Sequence, residues 1–417
     1  MPHKSANTLI LGDVASVISG FAFKSAEFGR EGIPVVKIAN IGVGRVDMQG
    51  AQRVSPDYLS QLNTKYQVHP RDILVSLTGS QITQPNSVVG RVARQARGVE
   101  TALLNQRAGK VILRDKVRCD ADYLYWWLLQ WETRRRIAAM AHGAASQANV
   151  SPTQVQSLSI DLPPLDQQRR IASAINGYEA LIENCRARVS VLAEMLQRVY
   201  ESWFEFPARA GRFDFGSPVD IPGCKSVVEN VESFSGTRRY YETSDLSGIW
   251  ITGTGAPYDF RNRPSRAQKQ PVENSVWFAR MKDTFKVFLV GGGYREMAST
   301  ILLSSGMAGI LAHDQRALPF LYATLVGERF QIEKNRCATG ATQVALTNAG
   351  IAQMRVVIPP ADLVWKFGQI CAPWVNQLSL LQQKAASTQQ ALELLLPKLL
   401  SGGLDVSVLP EPVEYFA

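Results

Sequence analysis

The sequence has no long apolar run. Its densest stretch, residues 123–131, falls well short of the roughly 18 residues that cross a bilayer, so no membrane-spanning helix is expected. Residues 1–7 carry no apolar core of the kind a secretion signal needs. The cysteines are few and scattered singly: Cys119, Cys185, Cys224, Cys337 and Cys371 form no C-x-x-C pair. The four histidines, His3, His69, His142 and His313, are equally dispersed. Neither a zinc site, any other metal site nor a disulfide framework is expected, and the expected compartment is the cytoplasm.

Catalytic motifs are missing too. Gly253-Thr-Gly255 and Gly291-Gly-Gly293 complete neither a dinucleotide fingerprint nor a P-loop, and read as turns. A base-flipping amino-methyltransferase should show Asn or Asp, two prolines and an aromatic. The candidates here, Leu162-Pro-Pro-Leu165 and Ile358-Pro-Pro-Ala361, have neither the polar residue nor the aromatic. No acidic cluster with a nearby lysine suggests a metal-dependent nuclease. These absences favour a binding protein over a DNA-modifying enzyme, the rival reading.

What is present is an ordinary globular composition, with 46% apolar residues in 417 and two or three domains expected from that length. The net charge of +9 is unevenly spread. Residues 1–165 carry 19 basic and 12 acidic side chains, and residues 207–360 carry 18 and 13. Residues 166–206 hold 5 and 6, and residues 361–417 hold 3 and 5. Two basic regions alternate with two weakly acidic ones, and the basic ones suit a polyanionic partner.

The same boundaries mark an internal repeat. Residues 143–151 are echoed by 340–347, and 158–164 by 354–360, at an offset of 196 residues. Fainter echoes join 72–76 to 275–279 and 123–125 to 320–322. A period near 200 residues means a duplicated domain rather than a solenoid.

A heptad seam follows each Pro-Pro. In the first copy it runs Ile171, Ile175, Tyr178, Ile182, Cys185, Val189, Leu192, Leu196, Val199 and Trp203. Adding 196 gives Phe367, Cys371, Trp374, Leu378, Leu381, Ala385, Thr388, Leu392, Leu395 and Leu399, with Thr388 the one residue that is not apolar. Unbroken alternation of threes and fours predicts two long helices that pack along their lengths. Asp166 is the expected N-cap, Gly177 and Pro373 are expected points of weakness or bending, and residues 401–403 are the expected stop. The basic regions contain short β-rich runs at 35–39, 72–77, 110–113, 275–278 and 286–290, and a single helix over 122–140. The predicted architecture is α+β: two globules in tandem, each followed by a long helix, the two helices packing along their lengths. The expected division is 1–165, 166–206, 207–360 and 361–417.

These pieces resemble a known family. Leu11-Gly-Asp-Val14, Ser19-Gly-Phe-Ala-Phe23 and Ile33-Pro-Val-Val-Lys-Ile-Ala-Asn40 look like the opening of its target recognition domain. Asp72-Ile-Leu-Val-Ser76 and Leu104-Asn-Gln-Arg107 continue it. His142-Gly-Ala-Ala-Ser-Gln147, then Leu162-Pro-Pro-Leu-Asp-Gln-Gln-Arg-Arg-Ile-Ala172, look like its closing strand and helix start, and Leu395-Leu-Pro-Lys-Leu-Leu-Ser-Gly402 like its C-terminal end. The family is the specificity subunit of type I restriction-modification systems, and the resemblance is weakest over 225–337. It implies a non-catalytic subunit whose two α/β target recognition domains read the halves of a bipartite duplex DNA target, while the helices, packed as an antiparallel coiled coil with pseudo-two-fold symmetry, set the spacer. It also implies two modification subunits docked on the helices. S-adenosylmethionine would sit there, with ATP and magnesium on restriction subunits, and no cofactor on this chain. A modification-only or orphan specificity subunit and a coiled-coil adaptor are the other readings.

Phosphates would be met by Lys and Arg, and base edges by Arg, Asn or Gln. In the first globule the candidate DNA contacts are Lys37, Asn40, Thr78, Ser80, Gln81, Thr83, Gln84, Arg91 and Arg94. In the second they are Tyr241, Thr243, Arg261, Arg263, Arg266, Lys269, Arg280 and Lys282.

Overall fold

The computed structural model describes residues 8–48, 50–81, 89–144, 147–227, 231–253, 255–293, 295–340, 344–407 and 409. They divide into two compact units. One comprises 1–178 and 392–417, the other 179–391, so each takes a length of both long helices.

The first unit is built on two sheets. The larger has the strand order Ala15–Ser19, Ala108–Leu113, Ile73–Ser76, Val92–Arg94 and Gly44–Arg45. The smaller runs Arg53–Val54, Ile33–Val36, Ala102–Leu104 and Gln67–Val68, with Ile33–Val36 and Ala102–Leu104 parallel. Ile73–Ser76 is buried throughout, and its run of small β-branched and aliphatic residues suits a central strand covered on both faces. Ala121–Leu129 packs its Tyr-Leu-Tyr-Trp face inward, started by Asp120, whose carboxylate accepts from the Asp122 and Tyr123 amides. The helix expected over 122–140 is two: the chain breaks at Gln130 and resumes as Trp131–Ala139.

The second unit repeats this plan. Its sheets run Cys224–Val227, Met307–Ala312, Ser275–Ala279 and Val287–Val290, then Ala256–Tyr258, Arg238–Tyr241, Ile301–Ser304 and Ala267–Lys269. Arg238–Tyr241 and Ile301–Ser304 are the parallel pair. Leu318–Val326 and Glu328–Cys337 repeat the two-helix step. Gly109 and Gly309 hold the same place in their sheets, where a methyl group would strike Val75 or Trp277. The duplication therefore extends through 225–337, where the sequences have drifted furthest.

Both seams are helical. Leu165–Tyr200 and Ala361–Leu400 are continuous over 36 and 40 residues, and every seam residue named above is buried or half-buried. Neither expected bend interrupts its helix. Pro373 is tolerated because it and Gln369, whose carbonyl loses its amide partner, both face solvent. Asp166 lies in the first turn rather than at the cap, where a carboxylate still favours the helix dipole. The central helix widens into a π-turn at Glu201–Glu205 and continues to Arg209.

Within the second unit the helices share one core with the sheet. Cys185, Val189, Leu196 and Tyr200 join Phe367, Cys371, Leu378, Leu381 and Ala385, with Phe278 and Ile310 beneath. The Tyr200 and Phe204 rings lie 6.3 and 5.3 Å from Phe367, while Arg186 shares a small cavity with Gln382 and Ala385. Over this length the two helices are antiparallel.

Candidate nucleic-acid interface

Each unit gathers polar residues where its two sheets end. In the second, the strand ending at Ser304 turns through Ser305 and Gly306 into Met307–Ala312. The Ser305 amide donates to Arg266 O at 2.8 Å and the Arg280 amide to Gly306 O at 2.9 Å. Space above Gly306 is closed by Thr243 Oγ1 and the Arg266 guanidinium, so any side chain there would displace them. Lys269 lies close enough to Arg280 that the guanidinium, added to burial, lowers its pKa. Thr243, Arg266, Lys269 and Arg280, dispersed over 38 positions of sequence, therefore converge on one turn. Arg261, Arg266 and Lys282 are exposed.

The first unit builds the equivalent edge from different residues. The turn is Asn105-Gln106-Arg107, whose Arg107 carbonyl accepts from the Leu77 amide at 3.0 Å. Beyond Leu77, Thr78–Gly79 joins His142–Ala144 and Gln147–Asn149 in a three-stranded ribbon. Gln81 Nε2 donates to Gly143 O at 2.7 Å and Thr78 Oγ1 to Asn149 Oδ1 at 2.7 Å. Gly143 pairs with Ala148 and Ala148 with Gly79; in the other unit Thr339 bridges Ala345 and Ala345 bridges Met281. Thr78 and Ser80 thus correspond in place to Arg280 and Lys282. His142, Gln147 and Asn149 are exposed on the ribbon, and Gln106 and Arg107 on the turn. None of these five was among the candidates; a polar Asn-Gln-Arg turn between two apolar runs was the available signal.

Several candidates instead serve the scaffold. Arg94 is 7% exposed, paired with Asp122 at 3.0 Å, its guanidinium 4.0 Å from the centre of the Tyr125 ring. Thr78 and Tyr241 are buried, and Tyr241 OH accepts from Gln390 Nε2 at 3.1 Å. Asn40 closes its own turn, accepting from the Lys37 amide at 2.9 Å and donating to Asp47 O at 2.9 Å. Lys37 sits 3.6 Å from the Phe28 ring centre with Gln52 as partner, and burial lowers its pKa. Arg263 lies over Phe260 and donates to the Phe260 and Ala267 carbonyls. Arg280 donates to Leu346 O at 3.0 Å and Asn348 Oδ1 at 2.7 Å, and burial lowers its pKa. Arg91 is half-buried, with its pKa lowered for the same reason. Thr83 and Gln84 lie outside the described residues.

The motif Ser19-Gly-Phe-Ala-Phe23 is also structural. A methyl on Gly20 would fall 2.1 Å from Leu104 O, and Phe21 and Phe23 meet Tyr58 in tilted and edge-to-face contacts. Among the described residues no group of three or more His, Cys, Asp or Glu could hold a metal. No described helix is long and apolar enough to cross a membrane.

Two duplicated α/β globules with polar sheet ends, together with two long heptad helices, define a tandem-repeat α+β architecture. Comparison with known proteins agrees. Residues 5–191 match the family model of the type I restriction modification DNA specificity domain. The chain is 27% identical over 206 residues to the EcoBI specificity subunit of Escherichia coli, covering 47% of this chain and 37% of that subunit. It therefore matches well under half of that relative's length. It is 25% identical over 374 residues to the putative MjaX specificity subunit of Methanocaldococcus jannaschii, covering 84% and 82%. The crystal structure of a type I S subunit from M. genitalium superposes with a TM-score of 0.55 at 16% identity over 96% of this chain and 97% of that one, a likeness of fold. The resemblance to type I specificity subunits is thereby borne out.

Proposed function

We propose that this chain is the DNA sequence-specificity subunit of a type I restriction-modification complex, catalysing nothing itself and reading one half of a bipartite duplex target with each globule. The observation that carries the reading is the repeat: two globules of one topology bring different polar side chains to the same sheet end. Equal scaffolds with unequal tips are what two different half-sites require. Arg261, Arg266, Lys269 and Lys282 supply phosphate contacts in the second globule, Arg107 in the first. Gln81, Gln106, Gln147 and Asn149 have the amide groups that discriminate adenine in a groove. The globules correspond to 1–165 and 207–360. The helices of 166–206 and 361–417 set the spacer, and their outer faces take two modification subunits that carry S-adenosylmethionine. Restriction subunits with ATP and magnesium complete the complex, and the setting is the cytoplasm.

The test is a four-residue insertion within 184–188. It adds about 6 Å of helix, on the order of one to two base pairs. Mapping modified sites across a host genome should show a longer spacer between unchanged half-sites. An unchanged spacer rejects the helices as its determinant.

A further inference from the structure

The first unit contains a polar network that DNA contact does not account for. Asp122 stands in the first turn of Ala121–Leu129. Its Oδ1 accepts from Arg71 and, at 3.0 Å, from Arg94 Nη1. Its Oδ2 accepts from Asn176 Nδ2 at 2.7 Å. Asn176 belongs to the central helix, and its Oδ1 in turn accepts from Trp126 Nε1 at 2.9 Å. The globule therefore grips both ends of one amide, with a carboxylate on one side and an indole on the other. About two turns earlier on the helix, Gln168 makes a second grip. It is fully buried, accepts from the Asp120 amide at 2.9 Å and donates to Arg118 O at 2.8 Å.

Apolar packing between a helix and a globule resists separation more than it resists sliding. Hydrogen bonds hold only over donor–acceptor distances of about 2.7–3.2 Å and near-linear angles, so two of them on one helix face oppose both rotation and axial sliding. The second repeat meets the long helices through other groups: Gln197 Nε2 donates to Ala323 O and Gln382 Nε2 to Ile249 O, both at 2.6 Å, with no carboxylate involved in either bond. Arg94 pairs with Ile73 in its sheet as Val290 pairs with Ser275, and these strands occupy equivalent places. Asp122, Trp126 and Asn176 correspond to Pro319, Ala323 and Ala372. A partly buried ion pair is weak evidence for stability, and specifying register is its best-attested use.

We propose that Asp122, Arg94 and Asn176 lock the first recognition globule at one setting on the central helix, and that this lock restricts the spacer the protein accepts between half-sites. The inference rests on the DNA-specificity reading above. These are positioning residues: without them the globule still reads its half-site, but stands at a range of settings.

The test edits the native gene and maps modified sites across the host genome, sorted by spacer length. Asn176→Ala should raise modification at spacers one base pair shorter or longer by about tenfold, the factor that roughly 1.4 kcal/mol of lost hydrogen bonding gives. The letters of both half-sites should stay the same. Trp126→Phe, which keeps an aromatic ring and removes the indole donor, should relax the spacer to a smaller degree. Wild-type spacer distributions in both variants overturn the lock. So does parallel blurring of the half-site letters, or loss of all modification in Asn176→Ala with an unaltered distribution in Trp126→Phe. A wild-type host with no bipartite modified sequence would overturn the DNA-specificity reading instead.

Discussion

Exchanging a glycine for alanine inside a solvent-facing helix ordinarily stabilises by about 1 kcal/mol. At Gly368 the sign should reverse. This glycine lies in Ala361–Leu400, where an added methyl carbon would stand 1.9 Å from Arg316 O and 2.9 Å from its carbonyl carbon. Contacts under 3.0 Å are essentially never populated, so helix and loop must part by about 1 Å. Neither gives way easily. Phe367 and Cys371 beside it are fully buried, and the Arg316 guanidinium is held against Trp365 at 4.4 Å and by Asp314 at 2.6 Å. Overpacking of this kind costs about 1–3 kcal/mol net. The first repeat carries a buried alanine, Ala172, at the corresponding position, so the close approach belongs to the second globule alone. In urea titrations at 25 °C followed by tryptophan fluorescence, Gly368→Ala should lower the midpoint by roughly half to one molar for a slope of 2–3 kcal/mol per molar. A midpoint equal to or above the wild type would refute the reasoning.

Lys334 offers a test by pH. Burial pulls its ammonium down to about 8 from 10.5, with Thr284 O as its acceptor. Between those values the unfolded chain binds the extra proton, so folding stability should rise as pH climbs from 8 to 10.5. Lys334→Met should raise Tm at pH 7 and flatten that rise; identical pH slopes for both proteins would contradict it. For DNA, Arg261→Ala combined with Arg266→Ala should weaken duplex binding and reduce the slope of log affinity against log salt by about two. Persistence of the full slope would take both side chains off the phosphates.

The parts of the fold legible in the sequence are those with a period. A seam that alternates threes and fours over 33 residues demands a helix, and its members are indeed withdrawn from water. The duplicated ends at 158–164 and 354–360 were legible because both copies keep the strand that precedes each helix, Ser159–Asp161 and Val356–Ile358. What stayed hidden depends on partners distant along the chain. Arg94 and Arg280 look like DNA-facing cations until Asp122 and Asn348 come into view, 28 and 68 residues away. Tyr241 looks available until Gln390 caps it from 149 residues on. The converse holds for Arg107 and Gln147, which stand in motifs of the sequence but come forward as exposed polar groups only because a turn and a ribbon present them at a sheet end. The break at Gln130 was missed because its flanks, Trp127–Leu129 and Trp131, continue the apolar pattern.

The unbroken helix from Leu165 to Tyr200 limits how such a chain can change over generations. Each residue gained or lost turns everything beyond it by about 100° as well as moving it 1.5 Å. Insertions or deletions of three, four or seven residues keep the apolar stripe near its partner, whereas one or two turn it toward water. Lineages could therefore alter the reach of this helix in a few discrete increments, each with its own twist, while gradual lengthening is closed to them.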